Sequence, residues 1–200
     1  MVIELKNLSK KFRNKLAVDG VPFTVPEGRV TGFIGSNGAG KTTAMRCMLG
    51  LNLPTSGEVL IDGVHHQELK NAPLKVGAII DSKAFHKTRS ARSHLVMMAV
   101  TNNISAKRVD EVLELTGLTD VANRAVGKFS LGMTQHVGIA AAPLGDPKFV
   151  ILDEPVNGLD PEGVVWVCNL YRRLAKENKG GGSCSSHLMS ARSSTQLTML

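Results

Sequence analysis

Gly35-Ser36-Asn37-Gly38-Ala39-Gly40-Lys41-Thr42 has the spacing Gly-x-x-x-x-Gly-Lys-Ser/Thr of a phosphate-binding loop. Its glycines let the main chain curl until successive N–H groups face one anion. A helix starting at the end of the loop adds the positive end of its dipole. In such a loop Lys41 reaches the β- and γ-phosphates of a nucleotide and the Thr42 hydroxyl ligates Mg2+. A chance glycine-rich turn is the alternative, and context argues against it. The loop leaves a mostly apolar stretch, Arg29-Val30-Thr31-Gly32-Phe33-Ile34, that reads as a central strand. It enters Thr42 to Leu51, which reads as a helix carrying Met45, Met48, Leu49 and Leu51.

Working outward, Val2 to Leu5 and Val21 to Val25 read as short strands, with Pro26-Glu27-Gly28 as a turn. Glu58 to Ile61 is a strand closed by Asp62-Gly63, and Val76 to Ile80 a buried parallel strand. The helical pattern from Ser90 to Thr116 has Ser105 as a candidate N-cap and Gly117 as a candidate C-cap. Leu131 to Leu144 also reads as helix. Asp160-Pro161-Glu162 is a strong helix start, and Val164, Val167, Leu170 and Leu174 line one face of that helix. The pattern is an α/β core with a helical insertion at 84–147.

Phe149-Val150-Ile151-Leu152 reads as a fully buried strand that emerges into Asp153-Glu154. Two acids there suit a Mg2+-coordinating Asp followed by a base that activates water. Turn or capping acids are the bland alternative, and the phosphate loop upstream favours the chemistry.

Length and charge set looser bounds. The 200 residues suit one domain, or one with an inserted subdomain. The formal charge of +7 fits a polyphosphate, nucleic acid or an acidic membrane surface equally well. Cys47, Cys168 and Cys184 lie far apart without metal-ligand spacing, which argues for a reducing compartment. No signal-peptide pattern or membrane-length apolar run is present, so work at a membrane would need another anchor.

Phe129-Ser130-Leu131-Gly132-Met133-Thr134-Gln135 resembles a family signature usually written Leu-Ser-Gly-Gly-Gln. The family is the ATP-binding subunits of ABC transporters. In the right order, Asn157-Gly158-Leu159-Asp160 is similar to its D-loop and Ser186-His187 to its switch histidine. Phe12 sits where the family places an adenine-stacking aromatic. The resemblance runs from about Val2 to His187, and Asp153 to Pro161 look most like bacterial drug- or antibiotic-resistance exporters.

The resemblance implies an α/β P-loop NTPase: a RecA-like core at 1–83 and 148–200, an antiparallel β subdomain, and a helical signature subdomain at 84–147. ATP would contact Phe12, the loop Gly35, Ser36, Asn37, Gly38, Ala39, Gly40, Lys41 and Thr42, and Thr43. Mg2+ would be held by Thr42, Asp153 and Asp81. Glu154 would polarise the attacking water, and His187 would contact the γ-phosphate. Ser130, Leu131, Gly132 and Met133 of a second copy would cover the nucleotide in a head-to-tail homodimer, joined by the D-loop Asn157, Gly158, Leu159 and Asp160. Further partners would be a transmembrane permease subunit and no nucleic acid. The chain would lie in the cytoplasm, on the inner face of the membrane. Ser130 can equally be an N-cap, and Phe12 a core residue.

Departures from the family pattern shape the alternatives. Asp81 stands where a Gln is usual, Leu131 and Met133 replace a Gly and the signature Gln, and His136 replaces an Arg or Lys. Pro143 falls inside the helical pattern, where it removes a backbone donor unless the helix ends earlier. Gly180 to Ser185 replaces an apolar β-branched run, and the Ser/Thr-rich tail after His187 shows no sign of the family's last strands, so the chain is expected to be truncated there. A degenerate module that binds ATP without useful turnover is therefore the first alternative, and a soluble non-transport ABC ATPase the second. Six Lys/Arg and no acid between Lys83 and Arg108 read as a solvated face, or as a basic docking face near lipid headgroups.

Overall fold

Apolar residues on one side of each N-terminal strand build a half-buried antiparallel sheet. The computed structural model describes residues 2–81, 85–177, 182–185 and 196–199. Strands β1 (Val2–Phe12), β2 (Lys15–Pro26) and β4 (Ser56–Ile61) pair in the order β2-β1-β4. Ile3, Leu5, Leu8, Phe23 and Val25 are buried beneath it. The hairpin is longer than its sequence suggested, running to the pair Phe12 and Lys15. Register shifts between Leu5 and Leu8 and again around Lys10 break the period of two, which hid the outer half of β1.

Strand β3 (Val30–Ile34) belongs to a second, wholly parallel sheet with β5 (Val76–Ile79), β6 (Phe149–Leu152), β7 (Gly182–Ser185) and β8 (Gln196–Met199). The strand order is β5-β6-β7-β3-β8. All four residues of β6 are buried, because both faces of this sheet are covered. Phe149 and Ile151 pack with helix α1 (Lys41–Met48) and the first sheet. Val150 and Leu152 pack on the other side with helix α5 (Pro161–Glu177). Asp160 caps α5, its Oδ1 accepting from the Gly163 N–H at 2.7 Å.

The C-terminal segment holds two short strands that its sequence did not suggest. The Gly/Ser run does supply a strand: β7 pairs with both β6 and β3. A strand also follows position 187, since β8 pairs with β3 from Thr31 to Ile34. Strand propensity measures side-chain packing, whereas a ladder needs only main-chain N–H and C=O groups. A slot between two apolar strands supplies those to glycine and serine as readily as to valine.

Helices α2 (Ala91–Thr101), α3 (Ala106–Leu115) and α4 (Leu131–Ala141) enclose a separate buried cluster that includes Leu95, Val109, Leu113 and Val137. Ser90 caps α2 by accepting from the Ser93 N–H at 3.1 Å. Ser105 precedes α3 in extended backbone without a side-chain cap bond, and Gly117 closes α3 at φ +67°. The basic run does not form a uniformly basic face. Arg92 pairs with Asp110 at 2.6 Å, and Lys107 and Arg108 pair with Glu111.

Helix α4 ends at Ala141, before Pro143. Proline has no N–H to give the carbonyl four residues back, that of Ile139. The buried Tyr171 hydroxyl donates to that carbonyl instead, at 3.3 Å. Burial pushes the Tyr171 phenol far above its usual pKa, which keeps the donor proton in place. Arg108 donates to two carbonyls just beyond the helix end, of Pro143 at 3.0 Å and Leu144 at 3.4 Å. Tyr171→Phe is expected to leave the Ile139 carbonyl buried without a partner and to cost about 1–3 kcal/mol. Urea unfolding of the two proteins measures this as a lower midpoint with an unchanged slope.

Candidate functional site

The loop from Gly35 to Thr42 leaves β3 and enters α1 at the carboxyl edge of the parallel sheet. Gly38 and Gly40 both stand at φ +87°, in the left-handed region. At Gly40 even a methyl group would collide with the Ala17 carbonyl oxygen of β2, so the loop lies directly against the hairpin. Lys41 is only 9% exposed, and its ammonium donates to the carbonyls of Gly35 at 2.8 Å and Ser36 at 3.0 Å. That bent side chain keeps a positive charge inside the curl of the loop.

The end of β6 comes to the same edge. The Thr42 hydroxyl donates to Asp153 Oδ2 at 2.6 Å, joining residues far apart in sequence. The other oxygen, Asp153 Oδ1, is buried and has no hydrogen-bond partner. A buried carboxylate oxygen left in this way beside a hydroxyl is suited to a hard divalent cation, which prefers oxygen donors. The donor set therefore fits Mg2+.

Two adjoining grooves gather most of the residues singled out in the sequence. One, of about 400 Å³, is lined by Phe12, Lys15, Ala17, Asn37, Gly38, Gly40 to Thr43, and Glu154. The other, of about 360 Å³, is lined by Thr42, Asp81, Leu131, Gln135, Asp153, Glu154, Asn157 and Gly158, with Ile80. Thr42 and Glu154 face both. Phe12 is 45% exposed and lines the first groove, so it is not a core residue. Lys10 sits over its ring at 5.0 Å from the centroid. Ser186 and His187 lie outside the described residues.

The signature segment opens α4. Ser130 is its N-cap, its Oγ accepting from the Met133 N–H at 3.2 Å. Leu131 packs on Gly158, where an added Cβ would lie 2.5 Å from Leu131 Cδ2. Gly132 faces Leu159. The segment thus rests on the 157–160 loop of its own chain. His136, in place of a cation, stacks on Trp166 at 4.2 Å. Burial lowers the His136 pKa, against the upward pull of the Thr116 backbone and Asp160.

Several features escaped the sequence reading. Glu154 stands at φ +47°, a conformation that costs a residue with a side chain on the order of 1–3 kcal/mol. Asn157 donates its amide to Glu154 Oε2. Gln135, 2% exposed, donates to the Pro155 carbonyl at 2.9 Å. A glutamine amid apolar neighbours in α4 was the one available hint of this contact. Lys15 in the first groove is set there by its pairing with Phe12.

A glycine loop between strand and helix, with an acid-tipped strand two places away ending at the same sheet edge, defines a P-loop nucleotide-binding domain. Residues 18–157 match the ABC transporter family model, and the chain belongs to that family. It is 42% identical over 191 residues to the uncharacterized ABC transporter ATP-binding protein YhcH of Bacillus subtilis (strain 168), covering 94% of this chain and 63% of that protein. It is also 42% identical over 191 residues to the bacitracin transport ATP-binding protein BcrA of Bacillus licheniformis, covering 94% and 62%. The chain thus spans about three-fifths of the length of these relatives. Among solved structures, the ATP-binding subunit of an ABC transporter superposes with a TM-score of 0.83 at 26% identity, covering 95% of this chain and 81% of that one.

Two substitutions test the geometry of the loop. Gly40→Ala is expected to abolish nucleotide binding through the collision with Ala17, without needing any change in charge. Lys41→Ala is expected to weaken Mg-ATP by tenfold or more, since a charge-assisted contact is worth roughly 1.5–3 kcal/mol. Calorimetric titration with Mg-ATP reads both, and wild-type affinity in either variant contradicts the assignment.

Proposed function

We propose that this chain is the ATP-binding and ATP-hydrolysing part of an ABC-type exporter. The observation that carries the reading is the Thr42–Asp153 hydrogen bond, with the unpartnered Asp153 Oδ1 beside the groove shared by Lys41 and Glu154. ATP lies along the first groove, its adenine on Phe12 and its phosphates on the loop N–H groups and Lys41. A base on an aromatic ring gains roughly 1–3 kcal/mol. Thr42 and Asp153, with Asp81 at the groove wall, hold Mg2+, which supplies charge neutralisation to the β- and γ-phosphates. Glu154 takes a proton from the attacking water as its oxygen bonds to the γ-phosphorus and the bridging bond to ADP breaks.

The family resemblance supports a head-to-tail homodimer in which Ser130 to Met133 of one copy close over the nucleotide of the other, next to its 157–160 loop. His187 would contact the γ-phosphate. A permease subunit would carry the cargo path and anchor the chain at the inner face of the membrane. Among the described residues, no helix is long and apolar enough to cross a membrane. The bacitracin-transport relative favours an antibiotic peptide as cargo. The rival of a module without turnover drew on the Gly/Ser run, and the pairing of β7 on both sides weakens that ground.

Glu154→Gln is expected to keep ATP affinity within a few-fold and to lower hydrolysis by a hundredfold or more, the general-base contribution being about 10²–10⁴. Phosphate release and gel filtration with ATP check it together. Slow release should accompany a persistent ATP-bound dimer. Hydrolysis that survives the change within a few-fold removes Glu154 as the base.

A further inference from the structure

We propose that Asn157 is a positioning residue whose side-chain amide fixes the working orientation of the Glu154 carboxylate. The inference rests on the reading of Glu154 as the base and adds a partner within the same chain.

Glu154 is the second residue after β6, on left-handed backbone at φ +47°. Its carboxylate sits on a flexible stem beside two open grooves. A base must hold its oxygen on the water to well within an ångström, because small misplacements lose large factors in rate. Asn157 meets both ends of the residue. Its main-chain N–H donates to the Glu154 carbonyl at 3.1 Å, closing the turn. Its Nδ2 donates to Glu154 Oε2. From α4, the buried Gln135 amide bonds the Pro155 carbonyl at 2.9 Å and reaches that of Glu154 at 3.5 Å. The turn is thereby held from α4 and from Asn157, and the carboxylate from Asn157.

The chemistry gives the amide a definite task. An ionised carboxylate only accepts hydrogen bonds, so the group facing it must be the NH2 side of the asparagine. The bond from Asn157 to Oε2 stops rotation about the last torsion and so fixes the plane in which the carboxylate meets the water. An aspartate at 157 has the same shape and the same tolerance of tight turns, but presents a second carboxylate where the donor was.

The test compares wild type, Asn157→Asp and Asn157→Gln in steady-state ATP hydrolysis, with Mg-ATP affinity by calorimetry. The Asp variant is expected to lose at least about tenfold in kcat with KM and affinity within about twofold, the signature of an interaction made at the transition state. The Gln variant keeps a donor on a longer stem and is expected to recover part of the loss. In the Glu154→Gln background, adding Asn157→Asp should leave the ATP-bound dimer unchanged in gel filtration. Wild-type kcat in Asn157→Asp overturns the positioning role alone. A raised KM, or a dimer that dissolves in the double variant, assigns Asn157 to binding or to the subunit contact and overturns it as well. No hydrolysis by the wild type overturns the proposed function, and this role with it.

Discussion

The bond between the Thr42 hydroxyl and Asp153 Oδ2 holds the molecule to its purpose, because it spans a sheet. Thr42 follows β3 and Asp153 follows β6, and β7 lies between those strands. The bond can form only if all three strands run parallel and end at one edge. Parallel strands demand long crossovers: the one from β3 to β5 carries α1 and the antiparallel sheet's last strand, and the one from β5 to β6 carries the entire α2–α4 cluster. The positions of the loop, the acids and the helical region all follow from that requirement. Ligands of open α/β sheets gather at this edge for the same reason.

Features legible in the sequence were those written locally. The phosphate loop announces itself by glycine spacing, and β6 by an apolar run that only burial on both faces explains. The start of α5 was visible because Asp160 and Pro161 act on their own helix. Features that failed to show depend on residues meeting through the fold. Tyr171 reaches Ile139 across two helices, Gln135 reaches Pro155 from another element, and Leu131 settles on Gly158. The outer hairpin was hidden by bulges, and β7 was misread because side-chain statistics stood in for main-chain pairing. Of the candidate site, the identities of Lys41, Thr42, Asp153 and Glu154 could be read directly. The hold on Glu154 could not, since asparagine in a turn already has a sufficient local explanation.

Glu154 also shows where local preference yields to the site. A glycine or asparagine would occupy φ +47° more comfortably, yet the position carries a glutamate. Hydrogen bonds from Asn157 and Gln135 offset the strain on the spot. The neighbouring residues therefore show their effect as a fixed turn rather than as added stability, and propensity reads the whole segment as unremarkable loop.

Helix α4 belongs to two cores at once. Val137 and Ala140 are buried with α2 and α3, while Ile139 and the C-cap residue Ala142 are buried with β5, β6 and α5. Tyr171 fastens the second of these faces to the main body. Neither core can melt without exposing half of the shared helix to water. The helical region and the nucleotide-binding body are therefore bound into one cooperative unit of unfolding, in which hydrogen-exchange protection of α4 follows that of the central sheet.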